Sequence, residues 1–228
     1  MQLVLAPVYK FISALGGKSL CSSDSISKLD MMCDDDLVEM GMHKKEVLHV
    51  QTALYITLIE SIIQRDFVRA AETLQKHQNK FATDDFVVIF YGGLLAFHMA
   101  RQTREGHWLA KSANALKTLE ISSKQCKWNF GNKYLLLKAE MHNTNGETKA
   151  AIQAYDESVE AARTQCFIHE EALACELAAH YFGNIGDKKR TREMIEKSHD
   201  AYVRWGAQKK AESVIKLLEL QYLQESEA

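Results

Sequence analysis

Apolar and small side chains recur along most of the chain at the spacing of an α-helix. In the segment that ends at Trp205, the residues Met194, Ser198, Ala201 and Trp205 follow one another at intervals of four, three and four residues. This spacing places all four on one side of a helix. The pattern therefore predicts a helix that buries this side against a neighbouring element.

The breaks between such segments recur at a fixed interval. Gly106, Gly146 and Gly186 are each forty residues apart, and Asp66 occupies the same place one interval earlier. The position seven residues before each break is Ile, Met or Ala, so it is apolar in every copy. Glycine tolerates the left-handed backbone that commonly ends a helix. This recurrence predicts four copies of one helix–turn–helix unit.

Each unit is predicted to be a pair of helices joined by a tight turn. The predicted pairs are 43–64 with 67–80, 84–103 with 108–123, 130–144 with 147–164, and 167–183 with 188–205. A last amphipathic run predicts a capping helix at about 208–224, because a stack of pairs exposes its final apolar side unless something covers it. The predicted fold class is all-α, a right-handed α-solenoid of about four hairpins with a C-terminal capping helix.

One stretch inside the second unit has the composition of a strand. Residues 86–91 read Phe-Val-Val-Ile-Phe-Tyr, and β-branched and aromatic side chains favour a buried strand. The stretch nevertheless keeps the register of the repeat, and local propensity is a weak guide when tertiary context opposes it. A helix is predicted here, with Gly92 and Gly93 as positions of close packing.

Residues 1–42 differ in composition from the rest and are predicted to be a partly ordered leader, with the repeat domain spanning 43–228. The leader contains a Ser-rich piece and the acidic run Asp34-Asp35-Asp36. Its Gly16-Gly17-Lys18-Ser19 matches the end of a phosphate-binding loop. However, Ile12 stands where that loop requires its first Gly, and no strand is predicted before it, so nucleotide binding is not predicted.

The helical pairs resemble tetratricopeptide repeats, although their period of forty residues exceeds the usual thirty-four. A more specific resemblance covers about 86–210. The motifs that carry it are FYGGLLAF from Phe90, WLAK from Trp108, NFGNKYLLLKAE from Asn129, EEALACELA from Glu170 and YVRWGA from Tyr202. They resemble the TPR-like helical region of large multidomain serine/threonine and hybrid histidine kinases. In that family the region follows an AAA-type ATPase module and precedes sensor (GAF) and histidine-kinase modules.

Two departures limit what this resemblance implies. The family often has Cys-Pro before its Asn-Phe, whereas Lys127 follows Cys126 here, and the family's Tyr-Pro at the end of the last helix is missing. No kinase or ATPase module lies within these residues. The resemblance therefore implies the connecting scaffold of a signal-transduction protein and not its catalytic part.

Composition and charge narrow the class of partner. A single Pro, 11 Gly and 46% hydrophobic residues suit long helices around a substantial core. With 28 basic and 30 acidic side chains the net charge is −2, which disfavours nucleic acid and anionic membranes as partners. No apolar run reaches the ~20 residues of a membrane span, and no signal peptide is predicted. Five Cys without a C-x-x-C pair suit free thiols, so a cytoplasmic location is expected.

The cysteines and histidines do not form a recognisable site. Cys166 with His169, and Cys175 with His180, are neighbours in sequence, but a zinc site needs four converging ligands and usually two tight pairs. No metal and no other cofactor is predicted. A nucleophilic Cys126 or Cys166 with a His partner stays open as an alternative, although neither thiol lies in a known signature.

The remaining candidate site is a groove on the inner side of the stack. The first helix of each pair usually lines this side in such repeats, and its polar positions here are Arg104, Lys133, Glu140, Asn143, Glu176, His180 and Asn184. Their mixed charge suggests a peptide or a neighbouring module as the ligand. A carboxylate clamp for chaperone tails is not supported, since Leu136 and Glu140 occupy the positions of its Lys and Asn.

The leading hypothesis is a non-catalytic scaffold that binds a protein or peptide partner, or adjacent ATPase, sensor or kinase modules. Two alternatives come from other classes of function. One is a helical enzyme that uses an unrecognised Cys/His pair, and the other is a helical repeat that binds nucleic acid.

Overall fold

The computed structural model describes Leu15, residues 47–76 and residues 85–223. All regular secondary structure in this part of the chain is α-helical, which confirms the predicted all-α class. Its nine helices are α1 (Val47–Ile63), α2 (Phe67–Lys76), α3 (Phe86–Thr103), α4 (Gly106–Gln125), α5 (Lys127–Asn145), α6 (Thr148–Thr164), α7 (Ile168–Asn184), α8 (Lys188–Trp205) and α9 (Gln208–Leu223). Apart from Leu15, the predicted leader and its phosphate-loop-like stretch lie outside the described residues.

From α3 onward the predicted helices are found with bounds that differ by no more than three residues. The largest difference is at α5, which begins at Lys127 instead of residue 130. Cys126 supplies the earlier start, because its carbonyl already accepts a helical hydrogen bond from Phe130 N at 3.2 Å. A helix, α9, is present where the capping helix was predicted.

The strand-like stretch at 86–91 is the first part of α3, as the repeat register predicted. Asp85 caps this helix, since its side chain accepts a hydrogen bond from Val87 N at 2.8 Å. Gly92 faces α2: a methyl group at its Cα would lie 3.5 Å from Leu74 Cδ1, an ordinary van der Waals distance, so the predicted close packing at this glycine stays a prediction. This stretch is therefore helical although its local composition favours a strand, and the helix packs against α2 at this point.

Most helix ends share one left-handed turn. The residue after the turn donates its N–H to the carbonyl five positions earlier, which satisfies an otherwise unpaired helix end. The bonds are Asp66 to Ser61 (2.8 Å), Glu147 to His142 (2.9 Å), Phe167 to Ala162 (3.0 Å), Asp187 to Phe182 (2.9 Å) and Ala207 to Tyr202 (2.9 Å). The left-handed residues are Arg65, Gly146, Cys166, Gly186 and Gly206.

The turn between α3 and α4 differs from this pattern and from the prediction. Gly106 does not adopt a left-handed conformation there but is the first residue of α4. Arg104 takes the left-handed conformation instead, with φ 57°, and its N–H donates to Ala100 O at 3.0 Å. The forty-residue spacing of the three glycines therefore does not mark the same backbone position at Gly106.

The described chain falls into two compact units, and the boundary between Ala115 and Leu116 lies inside α4. In the first unit α1 packs against α2, and both pack against α3. Leu54, Leu58 and Phe90 are among its buried side chains. The ring of Phe67 stacks on His98 with centroids 3.7 Å apart, which joins the start of α2 to α3.

In the second unit each helix from α5 to α8 packs against the next one in the chain, and α7 also packs against α5. Helix α7 is the most enclosed element, because eleven of its side chains are buried. The largest side chains of this core include Tyr155, Phe182 and Tyr202. This order of packing brings the first helices of two successive pairs, α5 and α7, side by side.

Among the described residues no helix combines the length and the hydropathy that a membrane span requires.

Candidate functional site

The predicted groove residues have three kinds of surroundings. Arg104 belongs to the first unit and the other six to the second. Arg104 and Asn184 are exposed, whereas Lys133, Asn143 and His180 are half-buried. Glu140 and Glu176 are 3% and 1% exposed and so belong to the interior. The structure therefore does not present all seven as an open surface.

Glu140 is held inside the α5–α6 pair. The hydroxyl of Tyr155 donates to Glu140 Oε1 at 2.5 Å, and both side chains are buried. A buried carboxylate is tolerated when it accepts strong hydrogen bonds of this kind. The prediction that Glu140 lines a groove is corrected, because its side chain faces the next helix.

Glu176 requires the same correction. Its Oε2 accepts a hydrogen bond from Tyr202 of α8 at 2.8 Å, and its Oε1 lies 2.7 Å from Lys210 Nζ of α9. The Lys210 and Glu176 side chains are only 3% and 2% exposed. The three residues form a buried ionic cluster that joins α7, α8 and α9.

Lys133 lies in a cluster between α5 and α7. Its Nζ is 2.8 Å from Glu170 Oε1 and 2.9 Å from Glu170 Oε2, and it donates to Asn129 O at 3.0 Å. The same ammonium group lies 4.4 Å from the centroid of the Phe167 ring. The Lys133 side chain is 16% exposed, so this groove residue has defined partners and still reaches the surface.

Glu170 is the centre of this cluster. It also accepts a hydrogen bond from Asn132 Nδ2, and His169 Nε2 lies 3.5 Å from its Oε1. Burial alone would raise the pKa of Glu170, but the hydrogen bond from His169 and the charge and hydrogen bond of Lys133 outweigh burial and lower the pKa. The carboxylate is therefore ionised at neutral pH and acts only as an acceptor.

The other groove residues lie far from Lys133 along the same helices. Asn143 is ten residues after Lys133 in α5, a distance of about 15 Å at the rise of an α-helix. Asn184 is the last residue of α7, whereas Glu170 lies in its first turn. The predicted residues are thus spread along the two helices and do not converge on a single compact site.

The cysteine and histidine pairs do not assemble into a metal site among the described residues. No group of three or more His, Cys, Asp or Glu in this part of the chain could hold a metal ion. Cys175 is buried, and this burial, with a smaller effect of the Glu171 charge, raises the pKa of its thiol to about 12. Cys166 is exposed and Cys126 is half-buried.

The three tryptophans differ in exposure. Trp108 is 8% exposed, which agrees with packing between helices, and Trp205 is half-buried beside His169 at a ring distance of 5.5 Å. Trp128 is 59% exposed in the first turn of α5. Its indole is therefore available at the surface of the second unit.

Sequence reasoning missed the buried partners Asn132, Glu170, Tyr202 and Lys210. Lys210 had a detectable signal: it lies three residues after the buried Ala207 and four before the buried Val214, on the apolar side of α9. A lysine at such a position needs a buried acid as its partner. No comparable signal identified Asn132, because nothing in the sequence shows which residue of α7 lies beside it.

Comparisons of the chain with known protein families, with curated proteins and with solved structures find no match.

Proposed function

We propose that this chain is a non-catalytic helical-repeat scaffold that binds a segment of another protein or of a neighbouring module. The proposed arrangement is a right-handed solenoid of four TPR-like hairpins, with α9 as the cap. The observation that carries the proposal is the packing of α7 against α5 as well as against α6. Stacked hairpins place their first helices side by side in this way, and the row of first helices forms a binding surface.

The turns of the second unit support a repeated element. Gly146 lies in the turn after α5, and Gly186 lies in the turn after α7. Both are left-handed, and they are forty residues apart. Cys166 and Gly206, in the turns before α7 and α9, are also forty residues apart. The same backbone geometry at the same interval in both kinds of turn is what stacking of equivalent hairpins requires.

The buried polar groups support a structural role for most of the conspicuous chemistry. Glu140, Glu170 and Glu176 each accept hydrogen bonds that join two or three helices. Arg204 likewise donates to the buried Glu171 at 2.8 Å. Because these acids are already bonded inside the protein, a partner would be recognised by the partly exposed side chains of α5 and α7.

The signalling context rests on the resemblance of the motifs in 86–210 to the helical region of multidomain kinases. In that context the partner is a protein or peptide segment, or an adjacent ATPase, sensor or kinase module. The net charge of −2 favours a polar, mixed-charge protein surface over nucleic acid.

Selection of peptides from a random library tests the proposal. Peptides enriched on the intact chain are measured by calorimetry against Asn143→Ala/Asn184→Ala, which changes two residues on the first helices of their pairs. We expect the dissociation constant to rise about tenfold. Lys189→Ala/Lys209→Ala, on exposed positions of α8 and α9, is the matched control and should bind within about twofold of the unchanged chain.

Two results would count against the proposal. One is a selection that enriches no peptide above background. The other is an equal loss of affinity in both double variants, which would place binding outside the first helices.

A further inference from the structure

Two side-chain carbonyl oxygens near the start of α5 lack a hydrogen-bond donor. Asn132 Oδ1 and Gln165 Oε1 are both buried, and no donor reaches either atom among the residues that the structure describes. The whole Asn132 residue is 3% exposed. Native structures rarely leave a buried acceptor unsatisfied, so each such atom calls for a specific explanation.

Hydrogen bonds donated by the two amide nitrogen atoms fix the orientation of both amides. Asn132 Nδ2 donates to Glu170 Oε2, and Gln165 Nε2 donates to Lys127 O at 3.3 Å. Rotation of either amide by half a turn would place its oxygen against another oxygen. Glu170 cannot relieve this arrangement as a donor, because its lowered pKa keeps it ionised. Both carbonyl oxygens are therefore held as acceptors.

The two amides lie against the same short part of α5. Gln165 comes from the turn before α7 and reaches the carbonyl of Lys127, the first residue of α5. A methyl group at Gly131 would lie 3.6 Å from Gln165 Nε2 and 3.2 Å from Lys127 Cγ. A methyl group at Gly131 would be in ordinary van der Waals contact with the Gln165 amide, so Gln165 lies close beside the residue that precedes Asn132.

The surroundings favour a neutral ligand group with an apolar neighbour. Lys133 and Glu170 neutralise each other at 2.8 Å, so an ionic ligand group would find no free counter-charge in this pair. Trp128 is 59% exposed and lies one helical turn before Asn132 on the same side of α5. An indole in this position offers a flat surface for an amide plane or an apolar side chain.

We infer that the start of α5 is a subsite for a neutral amide N–H of an extended peptide segment. Asn132 Oδ1 and Gln165 Oε1 accept hydrogen bonds from the segment, and Trp128 packs against it. Gln165 is half-buried, and its 3.3 Å bond to Lys127 is long, so this side chain can shift outward to admit the segment while its Oε1 remains the acceptor. The inference rests on the proposed function, since it names the chemistry that such a partner presents there.

A pair of small amides tests this inference on the full chain. N-methylacetamide carries one N–H, whereas N,N-dimethylacetamide carries none and is otherwise similar. Titration of the ¹⁵N-labelled chain is followed at the indole N–H of Trp128 and the side-chain amides of Asn132 and Gln165. We expect saturable shifts with N-methylacetamide and an apparent affinity about tenfold weaker with N,N-dimethylacetamide.

Two glutamine variants locate the effect. Gln165→Met keeps the length of the side chain and removes its amide, so it should weaken the N-methylacetamide response about tenfold. Gln153→Met, at an exposed glutamine of α6, is the matched control and should leave the response unchanged. Circular dichroism of both variants verifies that the helices are intact.

Three outcomes would overturn the inference. These are equal responses to the two amides, no response of the three side-chain signals, or an ordered water only. An ordered water is recognised by a nuclear Overhauser effect between water and the Asn132 side chain. If water alone occupies the site, saturating N-methylacetamide does not change this effect. If library peptides bind while the amide test fails, the subsite is wrong and the scaffold proposal stands. The reverse result would leave a site that accepts an amide N–H and would remove both the scaffold proposal and the assignment of a peptide as its ligand.

Discussion

Buried carboxylates recur in the second unit, and each has a cation or a hydroxyl beside it. Glu140 accepts from a tyrosine, Glu171 from Arg204, and Glu170 and Glu176 each contact a lysine. Removal of one partner from such a group leaves a desolvated charge, which costs far more than a surface ion pair contributes. These side chains therefore restrict which substitutions the fold tolerates.

Glu170 should make stability depend on pH. Its pKa is lowered from the usual 4.5, so the ionised form stabilises the fold above the pKa of the unfolded chain. This contribution is lost as the pH falls through the lower folded pKa. Urea unfolding between about pH 3 and 7 should show Glu170→Gln destabilised by about 1–3 kcal/mol at neutral pH and by little at the acid end.

The exposed Glu212→Gln is the control for this measurement. It should follow the unchanged chain at every pH. An unaltered pH dependence in Glu170→Gln would contradict the assigned role of this carboxylate.

Cys166 should be a strained position. It has φ 61° in the turn before α7, where Gly206 occupies the equivalent place before α9. A left-handed conformation is costly for a residue with a Cβ and not for glycine. Cys166→Gly should therefore raise the free energy of unfolding by up to about 1 kcal/mol, measured in urea under reducing conditions.

Gly186→Ala tests the same cost in the opposite direction. A methyl group there meets no atom within 4 Å, so the left-handed φ of 78° is the physical reason for any loss. We expect destabilisation of about 1 kcal/mol. Equal stabilities of both variants and the unchanged chain would refute the strain argument.

Helix positions were predictable because they leave patterns in the sequence, either locally or in the spacing of the repeat. The apolar spacing and the turn residues determined α5 to α9 closely, and the register of the repeat correctly overrode the strand-like composition at 86–91. Side-chain roles in the candidate site were not predictable to the same degree. Glu140 and Glu176 look like polar surface positions in a sequence, and only the approach of Tyr155 and Lys210 shows that they are interior.

Helix α9 should depend on its buried lysine. Lys210→Met leaves Glu176 as an unpaired buried charge, and we expect a loss of about 3–5 kcal/mol in urea unfolding. Adding Glu176→Gln to Lys210→Met should recover much of the lost stability, because the amide is neutral and still accepts a hydrogen bond from Tyr202.

Lys209→Met is the matched control for this cycle, since Lys209 is the adjacent and exposed residue of α9. It should change stability by less than about 0.5 kcal/mol. Equal effects at positions 209 and 210 would show that the ion pair does not hold α9.

The two compact units have separate tryptophan reporters. Trp108 belongs to the first unit, and Trp205 to the second, which also contains Trp128. Repeat arrays gain stability from contacts between neighbouring elements, so a local defect acts mainly on the unit that contains it. The division into two units does not test the predicted single repeat domain over 43–228, which stays a prediction.

Single-tryptophan chains should resolve the two units during unfolding. Trp128→Phe/Trp205→Phe reports on Trp108, and Trp108→Phe/Trp128→Phe reports on Trp205. In the Lys210→Met background we expect the fluorescence midpoint of Trp205 in urea to fall clearly more than that of Trp108. Equal shifts of both probes would indicate one cooperative transition.

The buried carboxylate of Glu176 also constrains any redesign of this chain. A fusion or an added hairpin that replaces α9 has to supply a cation at the third position of the incoming helix, where Lys210 stands. A standard apolar capping helix grafted at Gly206 would carry no such group and would dock poorly. The designer's simplest remedy is to neutralise position 176 before changing anything that follows it.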